Sequence, residues 1–90
     1  MTDAQTTATA AGEAARIRWL CRRGMKELDV LLELFFHSEY AQLDATGQGV
    51  FRQLLEYEDP ALYAILVGGA VPESRDQAAM AARIRACPRA

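Results

Sequence analysis

This 90-residue chain carries little of the usual equipment of an enzyme: one histidine, two well-separated cysteines and no glycine-rich phosphate loop. His37 has no serine or cysteine nucleophile in a recognisable partner pattern beside it, so no catalytic set is expected. Cys21 and Cys87 belong to no CxxC pair and no Cys/His cluster, which argues against a metal site. In a reducing compartment they remain thiols, Cys21 as a small apolar residue on a buried helix face and Cys87 in a loose tail. Neither a P-loop nor a GxGxxG run is present, so no nucleotide or cofactor site of the chain's own is expected. No apolar run approaches the ~18 residues needed to cross a bilayer. The N-terminus lacks the basic, apolar and small-residue order of a secretory signal, and Asp3 without an arginine before Arg16 is unlike a transit peptide. A soluble, cytoplasmic protein with no membrane insertion is expected. A formal net charge of −2 lacks the cation excess of a general nucleic-acid binder.

What remains is enough for one core. Hydrophobic residues make up 51% and aromatics 8%, consistent with one domain. Residues 1–12 are small and polar, with no core-forming side chain, and read as a disordered tail. Residues 13–90 read as a single helical domain.

From Glu13 the spacing of apolar residues is helical. A first helix is expected over Glu13 to Arg23, with Ile17, Leu20 and Cys21 inward and Gly24 as its C-cap. A second is expected over Lys26 to Leu43. Its stripe is Leu28, Leu31, Leu32, Phe35, Phe36 and Tyr40, which Val30 and Leu34 broaden into a helix buried on more than one side. Asp44 is an N-cap for a third helix, with Val50, Phe51, Leu54 and Leu55 inward, although Gly47 and Gly49 weaken its start. Asp59-Pro60 pairs an N-cap acid with a first-turn proline, and Gly68-Gly69 end that fourth helix. Pro72 opens a last helix over Glu73 to Ala86, with Met80 and Ile84 on a thin apolar face that predicts loose docking. No segment alternates as a strand would. The expected fold is therefore all-α, a compact bundle of about five short helices.

Charge is distributed unevenly. Arg16, Arg18, Arg22, Arg23 and Lys26 are half of the ten basic residues, and they gather around Gly24. From Glu27 to Asp59 the chain holds eight acids and one base, Arg52. The basic cluster reads equally as a helix cap with solvated cations or as an interface, for which arginine forks bind carboxylates, phosphates and carbonyls and Gly24 permits close backbone approach. Trp19 reads equally as core or as an interface anchor. His37 reads as a surface or structural residue, and Glu56, Glu58 and Asp59 as a solvated helix end plus an N-cap.

Arg23-Gly24-Met25-Lys26-Glu27 fits the RGxxE motif of the bacterial SdhE family, FAD assembly factors of succinate dehydrogenase with mitochondrial counterparts. The wider run from Arg16 to Asp29 resembles that family, as do Phe35-Phe36-His37-Ser38-Glu39-Tyr40 and Leu54-Leu55-Glu56-Tyr57-Glu58-Asp59-Pro60-Ala61-Leu62, in the family's order. The resemblance covers roughly residues 14–85. It implies a small five-helix protein that binds the immature flavoprotein subunit of succinate dehydrogenase, and in some bacteria of fumarate reductase. Such a protein promotes covalent attachment of FAD to that subunit without a cofactor of its own. It implies roles in flavinylation for Arg23, Gly24 and Glu27. Proximity adds Arg16, Trp19, Arg22, Met25 and Asp29 to the expected partner surface.

A protein without a catalytic set can still speed a reaction on its partner by fixing geometry. Under this reading Arg23→Ala and Gly24→Arg lower covalent flavin on the partner and leave folding intact. The competing reading is a regulatory interaction protein, such as the antitoxin of a toxin–antitoxin pair. Oligomeric state is expected to be a monomer or a weak homodimer, since an exposed Trp19 or Met25 patch is able to bury itself in a second copy.

Overall fold

The structure, a computed structural model, describes residues 12–87. The expectation of a disordered tail falls, for residues 1–11, outside the described residues. Gly12, which that expectation included, lies in the first helix.

Five α-helices follow one another, with no strand among the described residues: α1 over 12–20, α2 over Lys26–Glu39, α3 over Ala45–Leu55, α4 over Asp59–Leu66 and α5 over Arg75–Ala86. A short 3-10 turn, Tyr40–Gln42, links α2 to α3. No described helix is long and apolar enough to cross a membrane.

The centre of the bundle is α2. Leu28, Leu31, Leu32 and Phe35 are buried at positions one helical turn apart, so one stripe faces the core. Val30 is exposed and Leu34 half-buried, so the second buried side expected from sequence is not there. The ring of Phe35 stacks on Phe51 of α3 with centroids 5.5 Å apart, and Tyr40 tilts against the same ring at 5.3 Å. These pairs join α2 to α3 with more stabilisation than their buried area alone supplies.

The third helix begins at once after Asp44, whose carboxylate accepts the Gly47 amide at 2.7 Å. That cap offsets the two early glycines, and the helix starts no later than the spacing predicts. For α4 the N-cap is Glu58, one residue earlier than expected; Asp59 is the first helical residue and Pro60 follows in the first turn. The helix ends at Leu66 with Val67 as C-cap, just before Gly68-Gly69, and Gly69 takes φ +76°.

The last helix is firmly seated. Its N-cap is Ser74, whose hydroxyl accepts the Gln77 amide at 3.1 Å. Met80, Ala81 and Ile84 are buried against α2, α3 and α4. Gln77, 8% exposed, accepts the Tyr57 hydroxyl at 2.7 Å and donates to Gln53 at 3.2 Å. Arg85 donates to the Ile65 carbonyl near the end of α4, at 2.9 Å, and Arg83 lies over the Phe35 ring while pairing with Glu39. The loose docking expected from an alanine-rich face is corrected. Small side chains let α5 approach closely, and polar side chains supply what the thin apolar stripe does not. Cys87 closes this helix and is buried, so it does not sit in a loose tail.

Candidate functional site

The turn between α1 and α2 holds Arg22, Arg23, Gly24 and Met25, half of the residues singled out by sequence, with the others on the two helices that flank it, and it begins earlier than expected. Helix α1 ends at residue 20, and the chain runs without helical structure to Met25, the N-cap of α2. Gly24 is therefore not the C-cap of α1. It takes φ +76° four residues beyond the helix and bends the chain into α2. The cap comes instead from a side chain: Nε of Arg23 folds back and donates to the Leu20 carbonyl at 2.7 Å.

The rest of that guanidinium is committed as well. Nη1 donates to the Tyr57 carbonyl and to Oδ1 of Asp59, both at 3.1 Å, and Nη2 donates to the Leu55 carbonyl. One side chain thus joins the last turn of α1, the last turn of α3, the α3–α4 connection and the first residue of α4. Only 12% of it is exposed. From the other side Asp29, in the first turn of α2, accepts the Arg23 amide at 2.7 Å and the Gly24 amide at 3.2 Å. The carboxylate holds the backbone of the turn while the guanidinium holds what lies beneath it.

The other predicted residues divide by exposure. Gly24, Arg22 and Glu27 are exposed, and a Cβ built on Gly24 meets nothing within 4 Å. Arg22 makes a surface pair with Glu33 at 3.6 Å. Met25 is half-buried and rests on the core. Trp19 is 70% exposed, which settles its place: it is not a core residue. Arg16 is exposed on an open groove of about 770 Å³ between α1 and α3, which Ile17, Leu20, Arg52 and Leu55 also line. Leu20, expected inward, is 41% exposed there.

Beside the turn Cys21 is fully buried, and its thiol is pushed up to about 12, first by burial and then by the carboxylates of Glu33 and Asp29; Arg23 opposes this. At neutral pH it is a packed thiol, not a nucleophile. Sequence reasoning missed the acceptors of Arg23. Leu55, Tyr57 and Asp59 lie more than thirty positions away along the chain, and no local pattern pairs a cation with distant carbonyls. The only hint was Asp59, read as an N-cap acid.

Fold and site together define a small helical bundle with one firmly held, glycine-centred turn on its surface. The particular family follows from comparison. Residues 15–88 match the model of the family described as flavinator of succinate dehydrogenase, and the chain belongs to that family. Among its relatives is the FAD assembly factor SdhE of Coxiella burnetii, 48% identical over 61 residues, which span 68% of this chain and 74% of the relative. The FAD assembly factor SdhE of Methylococcus capsulatus is 42% identical over 74 residues, 82% of this chain and 89% of the relative. That of Shewanella oneidensis is 44% identical over 71 residues, 79% and 87% respectively.

Proposed function

We propose that this chain binds the immature flavoprotein subunit of succinate dehydrogenase and promotes covalent attachment of FAD to it. It acts as an assembly factor and not as an enzyme, holds no FAD of its own, and works in the cytoplasm. Flavoprotein subunits of fumarate reductase are a second class of client. Family membership and the names of the relatives support the activity.

The observation that carries the placement of the interface is the α1–α2 turn. Gly24 is exposed, in a left-handed conformation, with open space where a side chain would stand, so a partner's backbone can come close. Around it Arg22, Glu27 and Trp19 offer a cation, a carboxylate and an aromatic anchor, a mixture suited to a protein surface. Arg16 and Met25 extend the patch along α1 and toward the core. The chemistry belongs to the partner and its flavin. This chain contributes by holding the subunit in a competent geometry, which lowers the entropic part of the barrier.

The test is co-expression of the chain with the flavoprotein subunit, followed by flavin fluorescence of the subunit on a denaturing gel. A flavin band that depends on the chain and fades with Gly24→Arg is expected. A band of equal strength with and without the chain overturns the reading. Recovery of a membrane toxin in place of a flavoprotein supports the antitoxin reading instead.

A further inference from the structure

We propose that Arg23 serves the partner from inside the fold, as a positioning residue that pre-sets the Gly24 turn, and not as a contact on the partner's surface. The inference rests on the reading of that turn as the flavoprotein-binding surface, and it changes what the arginine of the motif does there.

The geometry argues against an outward role. All three guanidinium nitrogens donate within the chain, to Leu20, Leu55, Tyr57 and Asp59. Three of these acceptors are main-chain carbonyls at or just beyond the ends of α1 and α3, groups that have no intrahelical donor and need one from elsewhere. To reach a partner, Arg23 must leave them unpaired in a part-buried place, and the loss offsets what a new contact gains. Gly24, its neighbour, is exposed and unobstructed. The two residues therefore divide the work: Gly24 meets the partner and Arg23 fixes the ground beneath it.

The Asp29 carboxylate completes the device. It takes the amides of Arg23 and Gly24 while the Arg23 side chain takes the carbonyls below, so the turn is held by its backbone and by its base. A surface ordered before the encounter spares the complex that ordering cost. Lysine cannot substitute: one ammonium is a point charge, and it lacks the planar fork that spans carbonyls from separate elements.

The test uses Arg23→Lys and, as a second route to the same turn, Asp29→Ala, each in the full chain. Backbone amide exchange is followed by NMR, and affinity for the purified flavoprotein subunit is measured below the onset of unfolding. Exchange of the Gly24 amide should quicken about tenfold or more in both variants while the Leu54 and Leu62 amides stay protected. Affinity should fall about tenfold or more per folded molecule. The double variant should lose less than the sum of the two, because both loosen one turn. If affinity falls while Gly24 exchange is unchanged, Arg23 touches the partner directly and the proposal is overturned. A loosened turn with undiminished affinity overturns it equally. Failure of the unaltered chain to bind the subunit overturns the functional reading itself, and is told apart because it appears before any substitution is made.

Discussion

Arg23 and Gly24 are adjacent in sequence and opposite in exposure, so their substitutions carry different costs. Removing the Arg23 side chain unpairs three carbonyls and the Asp59 carboxylate, so Arg23→Ala should lower unfolding free energy by about 2–4 kcal/mol. The expectation that Arg23 is dispensable to folding, natural from the motif alone, does not survive this geometry. For Gly24→Ala only the left-handed backbone is strained, since the added methyl meets open space, and about 1 kcal/mol is expected. Urea titration of the two variants should rank them in that order; equal losses would show that the guanidinium contacts contribute nothing. Cys21 gives a second residue-scale signature. Its folded thiol titrates at about 12 against an ordinary value of 9.0, so the unfolded chain releases the proton first as pH rises. The native advantage is complete below pH 9 and declines between 9 and about 12, by roughly 1.4 kcal/mol per pH unit. Denaturation midpoints of the parent chain should fall more steeply over that window than those of Cys21→Ala; identical slopes would show that the thiol is not so shielded.

At the scale of elements, starts were more legible than ends. Asp44 and the proline at position 60 announce α3 and α4 because capping is local chemistry, written within four residues. Even so Glu58 is the N-cap and Asp59, paired with Arg23, the first helical residue, one position from the expected start. The end of α1 differs by more. Gly24 signals a helix stop, but the stop comes at residue 20, where a side chain folds back to serve as cap. Docking of α5 was the least legible, because alanines carry no pattern and the Gln77–Tyr57–Gln53 chain of hydrogen bonds joins residues of separate elements. Ile84 tests that docking. It is fully buried among α5's partners, and Ile84→Ala should cost about 2–4 kcal/mol with a lowered thermal midpoint. A loss below about 0.5 kcal/mol, the range of surface substitutions, would return α5 to the loosely attached helix that composition predicts.

Across the whole molecule, two of the segments that mark the family in sequence meet in space. Arg23 of the first segment is bound to Leu55, Tyr57 and Asp59 of the other. Tyr57 passes the connection on through its hydroxyl to Gln77 and the Glu73 amide, ahead of and within α5. The turn is therefore backed by all five described helices, α2 through Asp29 and α5 through Tyr57, while its outer face carries residues with little structural duty. This division predicts a separation of function from stability. Trp19 and Glu27 are exposed, so Trp19→Ala and Glu27→Ala should leave stability within about 0.5 kcal/mol of the parent. Flavin incorporation into the subunit should nonetheless fall, more for Trp19 if it is the buried anchor of the complex. Arg23→Ala, by contrast, should lower both together. Measuring urea midpoints and covalent flavin on the same three variants sorts them on two axes. If the exposed variants retain full flavin incorporation, the interface lies elsewhere on the bundle, and the groove between α1 and α3 that Arg16 lines becomes the next surface to probe.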